Sequence, residues 1–195
     1  MKRPIMTLGL AFLLGLGLAG NVQANSVEEH GASFQRSITV DGQPLELTGT
    51  GVARWRIVFT VYAAGLYLPP GATAETMLDA DTARVLEIEY FHNISAEDII
   101  RAADTKLQSQ LPAEARARLQ PLIDEFHALY NEVNDGDRYR MTYRPGEGTE
   151  LRFNGKPVGT IAGAEFAAAY FGIWLDADDP LSDNLRRNLL ADIEE

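Results

Sequence analysis

Ala53-Arg54-Trp55-Arg56-Ile57-Val58-Phe59-Thr60-Val61-Tyr62-Ala63-Ala64-Gly65-Leu66-Tyr67-Leu68 is crowded with β-branched and aromatic residues and stops at Pro69-Pro70-Gly71. Such residues suit a pleated, half-buried surface, so the stretch reads as one long strand. Side chains alternate along a strand. Trp55, Ile57, Phe59, Val61 and Ala63 then form a uniformly apolar face, the expected core side. The other face is mixed: Arg54, Arg56, Val58, Thr60, Tyr62, Ala64 and Leu66. Arg54 and Tyr62 share it. If helices cover that face, a guanidinium and a phenol stand in a largely apolar pocket. Arg offers a forked donor suited to a carboxylate and Tyr adds a hydroxyl. Such a pocket holds an anionic head group beside an apolar tail. The plainer alternative leaves Arg54 and Arg56 on a solvated strand face, and the strand alone favours it.

Outward from this stretch, Ser37–Leu47 reads as a hairpin. Ile38 and Val40 alternate with polar residues, Asp41-Gly42 turns the chain, and Leu45 and Leu47 alternate again. Gly49-Thr50-Gly51 breaks the pattern. Residues 25–36 are polar and expected to be flexible. Downstream, Thr73 is placed to cap a short helix over 74–78, and Arg84–Tyr90 alternates as a strand. Ser95 caps a helix striped with Ile99, Ile100, Ala103 and Leu107. Pro112 opens a second, whose stripe of Leu119, Leu122, Ile123, Phe126, Leu129, Tyr130 and Val133 predicts a long amphipathic helix ended by Asp135-Gly136-Asp137. Strands are expected over 138–143, 150–153 and 156–161, the last two joined at Asn154-Gly155. Phe166, Tyr170, Ile173 and Trp174 share one face of a third helix, and a last helix starts near Asp183. Strands and helices cluster rather than alternate, which predicts an α+β fold: an antiparallel sheet with helices on one face.

The 195 residues suit a single domain. Met1-Lys2-Arg3, an apolar run from Ile5 to about Gly20, and small residues at Val22 and Ala24 read as a secretory signal peptide cleaved after Ala24. The run is shorter than the roughly 20 residues of a membrane span. The expected organisation is a signal over 1–24, a flexible segment over 25–36 and one domain over 37–195. The product is expected to be periplasmic or secreted, with no stable membrane insertion.

A formal charge of −11 disfavours nucleic-acid binding. The absence of cysteine removes disulfides, thiolate catalysis and cysteine-ligated metals. His30, His92 and His127 show no ligand spacing, so no metal is expected. The acidic loop 176–183 has Pro180 at its fifth position and no glycine at its sixth, so it fails as a calcium loop and reads as a solvated turn. No phosphate loop or nucleophile elbow is present, and no cofactor is expected.

Leu47-Thr48-Gly49-Thr50-Gly51-Val52-Ala53-Arg54, followed by Val61-Tyr62-Ala63-Ala64-Gly65-Leu66-Tyr67-Leu68, resembles the chalcone isomerase-like family. Ile94-Ser95, Gly136-Asp137, Gly159-Thr160-Ile161, Phe171-Gly172-Ile173-Trp174-Leu175 and Leu185–Leu190 agree in order. The resemblance spans about residues 36–190. It implies an open-faced β-sandwich, a large antiparallel sheet under a layer of helices with a ligand cleft between them. It also implies that Arg54 matches the arginine shared by the family's enzymes and its fatty-acid binders, and Tyr62 the binders' tyrosine. The enzymes carry a tyrosine just before the serine that opens the first helix. Here Ile94 stands there, and an isoleucine cannot order a water or polarise a ketone.

The leading expectation is therefore an exported, non-catalytic binder of a fatty acid or similar amphipathic carboxylate, anchored by Arg54 and Tyr62. One alternative is an isomerase or intramolecular lyase using Arg54 as its electrostatic element. Another is a periplasmic interaction module whose cleft is closed by its own side chains. The sequence implies no particular oligomeric state.

Overall fold

The computed structural model describes residues 25–55 and 59–193. The expected signal peptide and the side chains of Trp55, Arg56, Ile57 and Val58 lie outside the described part. Among the described residues nine strands and four helices follow in the order β1 (Ser26–Glu29), β2 (Ala32–Gln35), β3 (Ser37–Val40), β4 (Gln43–Trp55), β5 (Phe59–Leu68), β6 (Arg84–Tyr90), α1 (Ala96–Gln110), α2 (Ala113–His127), β7 (Arg138–Arg144), β8 (Gly148–Phe153), β9 (Lys156–Ile161), α3 (Ala164–Leu175) and α4 (Asp183–Leu189). Strands β3 to β9 form one antiparallel sheet in sequence order, and β1 and β2 pair separately. The α+β class, with its helices on one face of an antiparallel sheet, is the one the residue pattern predicts.

The stretch Ala53–Leu68 is not one strand. It is the end of β4 and all of β5, folded back on each other with Trp55 opposite Phe59, Arg54 opposite Thr60 and Ala53 opposite Tyr62. No Gly, Pro or Asn stands between the two strands, so the sequence carries no local signal that divides them. The register then skips Val61, a bulge that resets the alternation. Beyond the bulge the expected core side is inverted: Tyr62, Ala64, Leu66 and Leu68 face the main core under the helices, while Val61 still packs on that core as expected and Phe59 is 49% exposed. Ala63 and Tyr67 point to the opposite side of the sheet.

That opposite side is covered in part by residues 25–36. The segment, expected to be flexible, is the β1–β2 hairpin, and it buries Ala32 and Phe34 against Ala63. Two apolar residues in a polar segment are enough to dock it because each meets a prepared apolar surface. Farther along the same side, Glu87 lies between Arg138 and Arg140 and accepts from Tyr67 Oη, and Arg138 also pairs with Glu89. The other face of β6 (Leu86, Ile88 and Tyr90) joins the main core.

The helices match expectation at their starts better than at their ends. Ser95 Oγ caps α1 by accepting from Asp98 N–H. Helix α2 stops at His127, short of Val133, because Ile94 and Val133 exchange backbone hydrogen bonds of 2.9 and 3.0 Å and draw the chain into an isolated bridge. Leu129, Tyr130 and Val133 still pack on the core, from a turn rather than from a helix. Thr73 holds only a turn with Thr76, not a helix over 74–78.

Gly49-Thr50-Gly51 does not break β4. The strand runs through it, with a bulge between Leu47 and Gly49, because α4 lies directly on this stretch. A Cβ on Gly49 would stand 2.0 Å from the Asn188 carbonyl oxygen, and one on Gly51 would stand 2.9 Å from Asn188 Cβ. Thr48 Oγ1 donates to the Leu189 carbonyl at 2.8 Å. Glycine in a strand commonly marks such a close approach. Gly49→Ala is expected to lever α4 off the sheet and to cost at least the roughly 1–3 kcal/mol of an overpacked site. Urea unfolding should show the loss as a lower midpoint at unchanged slope, and an unchanged midpoint would mean α4 is not seated here.

Candidate functional site

Between the helix-facing side of the sheet and the helices lies a cavity of about 810 Å³, within the roughly 300–1,000 Å³ of small-molecule sites. Its floor is Tyr62 from β5, Leu86, Ile88 and Tyr90 from β6, and Tyr139 and Met141 from β7. Ile99, Ala102 and Ala103 of α1 and Tyr170, Ile173 and Trp174 of α3 close it from above. The lining is mostly apolar, and the cleft is not filled by its own side chains. The closed-cleft alternative is thereby corrected: five buried rings line the space without packing into its middle.

Arg54 and Tyr62, read as neighbours on one strand, reach the same cavity from two strands. Their placements differ. Arg54 is exposed at the rim, and Tyr62 is 8% exposed inside. The rim carries a second guanidinium, Arg101, but Glu97 and Asp98 hold it at 2.8 and 2.7 Å. Arg54 has no acidic partner among the described residues. Phe59, stacked on His92 with ring centroids 4.1 Å apart, and the exposed Leu181 give the same rim an apolar lip.

Inside, Tyr62 Oη accepts from Trp174 Nε1 at 2.8 Å. An indole N–H can only donate, so the Tyr62 proton remains for another acceptor. Burial pushes the Tyr62 phenol well above its ordinary pKa, against the smaller opposite effect of the Trp174 bond. It therefore stays a neutral donor across the working pH range. Burial raises Tyr90, Tyr130 and Tyr170 in the same way. Tyr170 donates to Tyr130 at 3.3 Å. Tyr139 accepts from Asn131 N–H at 2.7 Å and donates to its carbonyl at 3.2 Å.

Ile94 also lines the cavity, and its backbone is fixed by the bridge to Val133. Its side chain brings no donor to the site. The three histidines stand apart in role: His30 against Phe91, His92 against Phe59, and His127 buried beside Tyr170. Among the described residues no group of three or more His, Asp or Glu side chains could hold a metal ion. The acidic loop is a pinned turn, not a loose one. Asp176 accepts from the backbone of Asp178 and Asp179, and Asp179 takes Lys106 and Ser109 of α1.

Trp174, Tyr90, Tyr130 and Tyr170 are site residues that the sequence reading treated only as packing. For Tyr90 a signal was present, since it shares strand parity with Leu86 and Ile88 on the core side. Among the described residues no helix is long and apolar enough to cross a membrane.

Comparison with known proteins agrees with this geometry. Residues 26–191 match the family described as chalcone isomerase-like. No curated protein matches the chain in sequence. Among solved structures the fold is similar to the fatty-acid binding protein of Arabidopsis thaliana, with a TM-score of 0.67 at 16% identity, over 85% of this chain and 95% of that one.

Proposed function

The chain belongs to the chalcone isomerase-like family, and from that premise we propose that it is an exported, non-catalytic binder of a fatty acid or similar amphipathic carboxylate. The observation that carries the reading is the largely apolar cavity with one unpaired cation, Arg54, at its rim. The ligand's carboxylate would rest on Arg54, with the free proton of Tyr62 as a second donor, while its chain fills the space between sheet and helices. The fatty-acid binding protein of similar fold supports this reading, and Ile94 in place of the enzymes' tyrosine disfavours the isomerase alternative. The apolar segment before Asn25 supports export, and sequencing of the exported form should begin at Asn25.

Calorimetry on delipidated protein tests the binding. Each buried methylene contributes about 0.8 kcal/mol, so affinity should rise about fourfold per added carbon until the cavity is full. A charge-assisted hydrogen bond contributes about 1.5–3 kcal/mol, and the exposure of Arg54 puts it at the lower end. Arg54→Ala should therefore weaken binding about tenfold, and Tyr62→Phe roughly 3- to 10-fold. Binding that ignores both chain length and Arg54→Ala, in variants with unchanged circular dichroism, would sink the carboxylate reading.

A further inference from the structure

Tyr90 ends β6 on the same side of the sheet as Leu86 and Ile88, and its ring enters the cavity from the floor. It is 5% exposed. Tyr62 and Tyr139 stand edge-on to it, with ring centroids 5.5 and 6.3 Å away. The other phenols lining the cavity each have a hydrogen-bond partner, in Trp174, Asn131 or each other. Tyr90 Oη has none among the described residues. Its hydroxyl is not sealed among packed side chains but opens on the cavity, where it is a donor free for whatever occupies the space.

The donors here outnumber the acceptors. Tyr62 and Tyr130 accept bonds and keep their own protons free, and Tyr90 adds a third free proton. The carboxylate nearest the cavity, Asp98, is exposed at the rim and engaged with Arg101 and Ser95. A ligand that brings an acceptor oxygen into this space meets these donors. A second carboxylate does not fit, because among the described residues lining the cavity the one arginine without an acidic partner is Arg54 at the rim, and a charge buried among phenols without a counter-ion is strongly disfavoured. Uncharged oxygen fits, since a phenol donates to a ketone or hydroxyl oxygen without any charge being buried.

We infer that the ligand carries, along its otherwise apolar part, an uncharged acceptor oxygen that Tyr90 hydrogen-bonds, which makes the favoured class oxo- or hydroxy-acyl acids. The inference rests on the amphipathic-carboxylate reading and narrows it. Tyr90 is then a specificity-determining residue, and a plain saturated chain leaves its hydroxyl unsatisfied. A site built to hydrogen-bond a ligand oxygen discriminates against the analogue that lacks it.

The test measures binding of a saturated fatty acid, of same-length keto acids with the ketone at successive positions, and of a long-chain methyl ketone without a carboxylate. Wild type and Tyr90→Phe are compared by calorimetry, with folding checked by circular dichroism. The best keto acid should bind wild type about 3- to 10-fold more tightly than the saturated acid. Tyr90→Phe should erase that preference, so that the keto acid and the saturated acid bind the variant with similar affinity. The infrared carbonyl stretch of the bound keto acid should be lower in wild type than in the variant. If the acids fail but the neutral ketone binds in a Tyr90-dependent way, the carboxylate reading falls and the Tyr90 assignment stands. If wild type prefers the saturated acid at every ketone position, or if ketone and keto-acid binding are indifferent to Tyr90→Phe, the hydroxyl is merely hydrated and the inference is overturned.

Discussion

Above pH 10 the protein is expected to unfold in one abrupt step. Burial raises the pKa of Tyr62, Tyr67, Tyr90, Tyr130, Tyr139 and Tyr170 above the ordinary value of a phenol. In the unfolded chain these groups ionise near pH 10. Above that pH the folded state holds protons the unfolded state has lost. The stability they contribute is therefore complete below pH 10 and drains away as pH rises. Each such proton removes up to about 1.4 kcal/mol per pH unit between the unfolded and the folded pKa, so several together remove several kcal/mol. Arg84 acts in the opposite sense. It is fully buried against the rings of Tyr143 and Phe171, and burial lowers its pKa to about 10. Between that value and its unfolded one it returns about 1.4 kcal/mol per unit. The phenols outnumber it, so the net loss exhausts a typical stability of about 5–15 kcal/mol within a few pH units. Tyrosinate absorbance and circular dichroism, followed together through alkaline titration, should change in the same narrow range. Phenols that ionise gradually from pH 10 while the dichroism stays intact would show that the cluster is open to water.

Ala103→Trp is expected to abolish fatty-acid binding without unfolding the protein. Ala103 is 8% exposed and lines the cavity from α1, which faces the sheet there. An indole at this position projects into empty space, not into packed side chains. A ligand denied about five methylenes of burial loses about 4 kcal/mol, or roughly 1,000-fold in affinity. The helix itself loses only about half a kcal/mol in propensity. Filling the void should offset that, so the urea midpoint should hold or rise. A variant that stays folded and still binds with full affinity would place the ligand outside this cavity.

Much of this fold could be read from local pattern. The Asp41-Gly42 and Asn154-Gly155 turns lie between the strands expected to flank them, with both non-glycine residues at positive φ. Ser95 and Ser182 cap helices whose starts were expected. What failed was decided by partners distant in sequence. The division of the stretch into β4 and β5 follows from their pairing with each other, in residues whose own preference is extended throughout. The early end of α2 is set by Ile94, and the run through Gly49 and Gly51 by Asn188. For the site, residue type and family resemblance brought Arg54 and Tyr62 to one cavity, although the single-strand argument for it was wrong. Tyr90 and Trp174 went unread because an aromatic on a core face reads first as packing, and only the three-dimensional arrangement shows which hydroxyl lacks a partner.

The bond from Thr48 to the Leu189 carbonyl joins positions 141 residues apart. Every strand of the large sheet can zip to its predecessor as the chain lengthens, since neighbours in sequence are neighbours in the sheet. The glycine track on β4 can be covered only once residues 183–189 exist as chain. Local pairing is quick and long-range closure is slow. A polypeptide delivered amino terminus first therefore cannot complete this structure until its final helix is free.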